Sequence, residues 1–357
     1  MNRKLQHIAY LSENQSSAQF RYRVQNPIAA CQDSRHYQIS SFTKQDLAEL
    51  SRRLPGFDLL IIVRQTAKTQ EIPTLIETAQ SRGIKVVFDL DDLIFDCRDL
   101  PLLMSSTNSK NVLYWLGYIW GIRNIARRVD GFLTTNSFLA EKLKRSFDKP
   151  VAVIPNSLNQ AQIKTSEKAL KTQKPHVGFR LGYFSGSPTH AKDFRLIEPE
   201  LLRFLETHQD AELKIVGYMD FSPRAKALLD AGRISFELPV DYLKLQTKIA
   251  AVDVNLAPLV ENDFTNCKSE LKFFEAAITE TTTIASPTFA YKHAIQDGTT
   301  GFLARPGEWF DKLEYLYRHP RENQKIALAA KAYCLENYYG PKLQKEIIKA
   351  YAELSKI

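Results

Sequence analysis

Short apolar runs recur along this chain, each closing on small or polar residues and most followed by an amphipathic stretch. In the first half they fall at 5–11 (LQHIAYL), 57–63 (FDLLIIV), 84–88 (IKVVF), 131–136 (GFLTTN) and 151–154 (VAVI). In the second half they fall at 177–184 (VGFRLGYF), 213–217 (LKIVG), 233–236 (RISF), 252–259 (VDVNLAPL) and 283–286 (TIAS). Runs this short and this continuously apolar read as strands buried on both faces, as in a parallel sheet. Helical patterns fall between and after them, at 72–81, 138–147, 242–251, 269–279, 309–317, 321–337 and 341–356. Gly83 supplies a helix stop and Ser137 a helix start. Strands alternating with helices predict an α/β architecture. Residues 111–129 (NVLYWLGYIWGIRNIARRV) are apolar and aromatic, then basic. Their spacing favours a core helix of the first half over the alternative, a helix lying on a membrane surface.

At 357 residues the chain is too long for one ordinary core, so two domains are expected. Residues 160–176 (QAQIKTSEKALKTQKPH) are polar and lysine-rich without an apolar period, and read as the linker between them. No run of about 18 apolar residues predicts a transmembrane helix. The first residues, MNRKLQHIAYLSEN, read as a strand and a polar loop rather than a signal peptide. Cys31, Cys97, Cys267 and Cys334 are scattered, with no C-x-x-C pair. That argues against a zinc site or a disulfide framework and fits a reducing cytoplasm. A net charge of +8 admits an anionic membrane surface, nucleic acid or phosphorylated substrates as partners. The basic residues are dispersed and form no recognition motif, so nucleic acid is not expected.

The stretch 253–286 carries the densest chemistry. A buried strand, a polar loop and a helix in that order set the loop and helix start at the carboxyl edge of a parallel sheet, where such sheets bind ligands. Lys268 and Lys272 share a helix face if the helix begins early, and Glu275 falls one turn on. Cations for a diphosphate beside a carboxylate for sugar or ribose hydroxyls suit a nucleotide diphosphate. The plain alternative is a solvated charge cluster on a surface helix. A second loop, Ser185, Gly186, Ser187, Thr189 and His190, follows the strand at 177–184, and its small residues allow close ligand approach. In the first half, FDLDDLIFD places Asp89, Asp91, Asp92 and Asp96 at and beyond a strand end, and Arg21 and Arg23 follow the first strand. The arginines are candidates for an acidic or phosphorylated acceptor, or are surface residues of a helix.

Glu275-Ala276-Ala277, with the strand–loop–helix around it, resembles the donor site of retaining glycosyltransferases of the GT-B fold, in particular the large family 4. The PNS at 155–157 and the glycine turn at 298–303 resemble that family in the same order. The resemblance implies two Rossmann-like domains whose parallel sheets face each other across a cleft. It implies an acceptor domain at 1–159, a nucleotide-sugar domain at 177–337, and a last helix, 338–357, that crosses back to the first domain. The activity implied is hexosyl-type transfer from a nucleotide-diphosphate sugar to a hydroxyl of a glycan or lipid-linked glycan, with no metal and no cofactor. It also implies bacterial surface-polysaccharide synthesis by a cytoplasmic enzyme, with the inner membrane face as a peripheral site. Donor contacts would come from Ser185, Gly186, Ser187, Thr189, His190, Lys268, Ser269, Lys272 and Glu275. Asp91, Asp92 and Lys268 would be catalytic, and Arg21 and Arg23 would face the acceptor. One departure stands out. The family carries a second glutamate eight positions before Glu275, and this chain has Cys267 there.

Two rivals are open. FDLDDLIFD also resembles the first motif of haloacid-dehalogenase-type phosphatases, with Asp89 as nucleophile, Asp91 as acid/base and magnesium held by carboxylates; its usual Gly-Thr is replaced by Asp92-Leu93. The other rival, suggested by Cys267, is a GT-B scaffold that binds glycans or partners without catalysis.

Overall fold

The computed structural model describes residues 6–67, 69–107, 109–173, 176–186 and 191–357. Among these the strands form two six-stranded sheets, parallel throughout. The chain divides into two compact units. One comprises Met1–Ser157, Asn266–Ser269 and Tyr339–Ile357; the other comprises Leu158–Thr265 and Glu270–Tyr338.

The first unit contains β1 (Gln6–Ser12), β2 (Tyr37–Thr43), β3 (Leu59–Val63), β4 (Lys85–Asp89), β5 (Gly131–Thr134) and β6 (Val151–Val153). Their order is β2-β1-β3-β4-β5-β6. All five residues of β3 are buried, because helices cover both faces of a parallel sheet. The chain leaves β1 in one direction to reach β2 and in the other to reach β3, so the switch point lies between β1 and β3. One face of the core joins Ile8, Tyr10, Ile61, Val87 and Leu133 to Leu343, Ile347 and Tyr351 of the last helix, Gly340–Leu354. The Tyr10 and Tyr351 hydroxyls are hydrogen-bonded at 2.8 Å within that core.

The second unit contains β7 (Phe179–Ser185), β8 (Ala211–Gly217), β9 (Ile234–Glu237), β10 (Val254–Ala257), β11 (Thr282–Ala285) and β12 (Phe302–Leu303), in the order β12-β11-β10-β7-β8-β9. Its switch point lies between β7 and β10. Leu181, Tyr183, Leu213 and Ile215 pack on one face against Phe194, Leu201 and Trp309. Phe184 and Val216 point the other way, onto Ile249, Val252 and Ala276. This alternation is the two-residue period of a strand. Gly217 ends β8 at φ +136°, and a Cβ there would stand 1.9 Å from the Ser185 carbonyl oxygen. Only glycine lets the two strand ends come this close.

Three expectations change. Within the stretch expected as a linker without an apolar period, Gln160–Thr172 is a helix, opened by a capping box between Asn159 and Gln162. Its buried face is Gln162, Ser166 and Ala169, and Ser166 Oγ donates to Gln246 Oε1 at 2.9 Å. A helix that buries polar and small residues carries no apolar period. The helix within 111–129, Val112–Arg128, is buried only along its second half, at Ile119, Gly121, Ile122, Ile125 and Ala126. The helix expected from 269 begins at Leu271, so Lys268 and Ser269 precede it and Lys268 does not share a face with Lys272. No helix among the described residues is long and apolar enough to cross a membrane.

Candidate functional site

In the first unit, the carboxyl ends of β1, β3 and β4 gather a set of charges. Arg23 is 1% exposed and Asp89 is wholly buried. Arg23 Nε donates to both Asp89 oxygens at 3.1 Å, Nη1 to the Ile154 carbonyl at 2.6 Å and to Asn156 Oδ1 at 3.2 Å, and Nη2 to the Thr134 carbonyl at 3.3 Å. One side chain thereby ties together the ends of β4, β5 and β6. Burial raises the Asp89 carboxyl and the guanidinium pulls it back, leaving it at about 7. These contacts correct two expectations. Arg23 is a buried structural cation and cannot reach an acceptor. Asp89, enclosed and held through both oxygens, cannot attack a phosphate, which removes the nucleophile of the phosphatase reading.

Asp91 and Asp92 are different: both are about four-fifths buried at the side chain and face Arg64. Arg64 Nη1 donates to Asp91 Oδ1 at 3.3 Å and to Asp92 Oδ2 at 2.9 Å, while its Nε donates to the Tyr118 hydroxyl at 3.2 Å. Gln19 Nε2 donates to Asp91 Oδ1 at 2.9 Å. Arg64 follows β3 directly and sits at φ +39°, a backbone state that non-glycine residues rarely adopt. The neighbouring carboxylates hold its guanidinium charged. Asp96 stands apart. It caps the turn at Cys97–Asp99, and Arg98 draws its pKa down to about 2.

The segment Asn266–Ser269 belongs to this unit as well. The Asn136 side-chain amide lies 3.1 to 3.3 Å from the carbonyl oxygens of Asn266, Cys267 and Lys268, while its Oδ1 caps the helix Ser137–Phe147. Asn156 Nδ2 donates to Ser269 Oγ at 3.0 Å. Lys268 Nζ lies 3.9 Å from Asp92 Oδ1. Cys267 is fully buried.

In the second unit the carboxyl edge of the sheet runs from Ser185 and Gly186, past Leu259 after β10, to Ser286 after β11. Ser286 Oγ accepts from the Leu259 N–H at 2.9 Å and fixes the two loops to each other. Lys272 Nζ sits 4.9 Å from the centroid of the Tyr183 ring, a cation–π contact. Asn255 Nδ2 donates to the Lys272 carbonyl at 3.0 Å and to Thr283 Oγ1 at 3.1 Å, pinning the helix Leu271–Ala277 to β10 and β11. Glu275 is 8% exposed and accepts from Gln162 Nε2 at 3.3 Å. Its burial rules out the solvated surface cluster. Burial also raises the Glu270 carboxyl, against the pull of its hydrogen bond with Tyr338 and the charge of His293. Tyr291 is pushed up by burial and by the neighbouring charges of Glu270, Glu275 and Asp193. A cation on an aromatic face, with the buried Glu275 and the half-buried Glu270 on the same helix start, can hold an anion and several hydroxyls at once.

No known family profile matches this sequence, and no curated protein sequence matches it. Solved structures do match along the whole chain. HepE (Alr3699) from Anabaena, solved with UDP and glucose, superposes with a TM-score of 0.62 at 15% identity, covering 99% of this chain and 100% of its own. A glycosyltransferase from Rickettsia africae gives 0.66 at 13% identity with full coverage of both chains. Sucrose-phosphate synthase from Thermosynechococcus elongatus gives 0.65 at 14% identity, covering 98% and 99%. The fold is GT-B.

On this GT-B frame the predicted residues separate. The second unit brings together Ser185, Gly186, Lys272 and Glu275 around one sheet edge. Ser187, Thr189 and His190 lie outside the described residues. Lys268 and Ser269 sit in the first unit with Asp91 and Asp92. Arg21 is half-buried, its guanidinium 4.8 Å from the Tyr22 ring centroid. Sequence reasoning missed the roles of Arg64, Asn136, Asn156 and Glu270. The first three each stand at or just beyond the end of an apolar run, and that position was the available signal. Glu270 had none, since its hydrogen-bond partner, Tyr338, lies far along the chain.

Proposed function

We propose that this GT-B protein is a glycosyltransferase moving a sugar from a nucleotide-diphosphate sugar to a hydroxyl of a glycan or lipid-linked glycan. In this reading the reaction proceeds with retention, needs neither metal nor cofactor, and takes place in the cytoplasm on the way to a surface polysaccharide. The observation that carries it is Lys272 beside the switch point of the second sheet, one helical turn before the enclosed Glu275. Lys272, with the loop that begins at Ser185 and Gly186, would neutralise charge growing on the departing diphosphate. Glu275, oriented by Gln162, would accept hydrogen bonds from ribose hydroxyls. HepE was solved with UDP, so uridine is the base to test first.

Asp91 and Asp92 are assigned to the acceptor. Both are held by the Arg64 guanidinium, a fixed arrangement that suits orienting a hydroxyl. Lys268, near Asp92, joins this group. The buried Cys267 leaves the sugar without the glutamate contact that the family resemblance implies.

Calorimetric titration with UDP, GDP, ADP and CMP tests the donor site, using wild type, Lys272→Ala and Glu275→Ala. One diphosphate should bind, each variant weakening it about tenfold or more, the usual worth of a charge-assisted contact. Turnover of the matching nucleotide sugar should survive EDTA. If no nucleotide binds the folded protein, the reading gives way to a non-catalytic GT-B scaffold.

A further inference from the structure

The first half of the helix Val112–Arg128 stands out in solvent. Leu113 is 82% exposed, Trp120 63%, Tyr114 53% and Val112 44%, with Leu116 at 37% on the same side. The preceding helix, Leu100–Thr107, is also apolar and buries only Leu103. Single exposed apolar residues are ordinary; a contiguous set on one half-helix marks a surface that docks on something.

Charge says on what. Residues 100–129 contain no aspartate or glutamate, yet carry Lys110, Arg123, Arg127 and Arg128. Lys110 and Arg127 are exposed. The same bias extends to the unit around them. The first unit holds 26 lysines and arginines against 17 aspartates and glutamates, net +9; the second holds 22 against 23, net −1. All of the protein's positive excess therefore lies on the unit that carries the exposed apolar helix. Aromatic and aliphatic side chains above an acid-free, basic stretch match the boundary of an anionic bilayer, where the rings sit among headgroups and the cations meet lipid phosphates. A second copy fits poorly. Arg128 is paired with Glu77 at 2.8 Å, and a two-fold contact through this face would set the remaining exposed cations, Lys110 and Arg127, against their own copies.

We propose that the helices Leu100–Thr107 and Val112–Arg128 dock the protein on an anionic lipid surface, with Leu113, Leu116 and Trp120 entering the boundary. Tyr118 on the docking helix holds Arg64, and Arg64 holds Asp91 and Asp92. Docking therefore links the acceptor carboxylates to the lipid-facing helix through two side chains, Arg64 and Tyr118, which suits a membrane-held acceptor. That last step rests on the glycosyltransferase reading; the docking does not.

The test is flotation of the full chain with vesicles of phosphatidylcholine alone and with vesicles containing about one third phosphatidylglycerol. Wild type should float with the anionic vesicles at low salt and be released near 1 M salt, where the Debye length is about 3 Å. Trp120 fluorescence should shift to the blue on binding. Leu113→Ser with Leu116→Ser and Trp120→Ser should weaken binding about tenfold or more, while Leu113→Ser with Trp120→Ser alone should weaken it with little change in melting temperature, since these two side chains lie mostly in solvent. Lys110→Glu with Arg127→Glu should weaken it through charge alone and leave nucleotide titrations unchanged. Absence of wild-type binding to anionic vesicles would overturn the proposal, as would equal binding by the serine variant. A wild-type dimer that the serine variant disperses would give the surface to a second copy instead.

Discussion

A guanidinium at 1% exposure must find partners for all its donors, and Arg23 finds them on three strand ends. Replacing it with leucine leaves the Asp89 charge buried without its counterion. Breaking one side of such a pair costs about 3–5 kcal/mol. Arg23→Leu should lower the urea midpoint accordingly, and adding Asp89→Asn should recover part of the loss. Asp96 behaves oppositely with pH. Its folded pKa, about 2, lies below the ordinary value of 3.8 because of Arg98. Its contribution is therefore complete above pH 4 and disappears as pH falls through 2. Arg98 is mostly exposed, so screening limits the effect to about 1 kcal/mol or less. Thermal melts of Asp96→Asn should fall below wild type at pH 7 and meet it near pH 2. Charge and position in the sequence could not separate Arg21 from Arg23, or Asp89 from Asp91. Two residues along the chain decide between the inside of a sheet edge and its rim.

At the scale of elements, two features tie the second unit's fold to its candidate site. Gly217 lets β8 end against the Ser185 carbonyl. Alanine there would meet a backbone oxygen in a conformation that side chains avoid, at a cost on the order of 2 kcal/mol or more. Gly217→Ala should lower the melting temperature and, if the proposed donor site is right, weaken nucleotide binding with it, because the displaced strand end is Ser185. The helix Gln160–Thr172 is the second feature. Its Gln162 reaches Glu275, so a stretch that reads as a linker holds the carboxylate proposed for the donor in place. The periodicity that reveals helices is a periodicity of apolar residues, and this helix buries amides and hydroxyls. The helix Val112–Arg128 misleads in the other direction: its spacing suits a core, and half of it faces solvent.

At the scale of the molecule, the first unit is assembled from distant parts of the chain. Leu343, Ile347, Ala350, Tyr351 and Leu354 of the last helix are each at most 3% exposed within its core. Their burial is worth on the order of 10 kcal/mol, comparable to the whole stability of a domain. Truncation after Tyr339 should therefore leave the first unit open to proteolysis. Cleavage should concentrate within 6–157, while the full-length chain resists at the same protease concentration.

The sequence by itself determined the two sheets, because strands buried on both faces must be written as short apolar runs between helices. It also determined the acidic strand end after β4 and the strand, loop and helix around Lys272 and Glu275, since strand ends and the residues following them are adjacent in the chain; the GT-B architecture was implied by the resemblance those residues carry. Only the tertiary structure decided which charges are enclosed and which are reachable. Arg23 became a tie between strands, Lys268 came near Asp92, Cys267 was buried, and Glu270 was bonded to Tyr338. Those outcomes depend on neighbours brought from tens to hundreds of residues away, and burial by such neighbours leaves no local pattern to read.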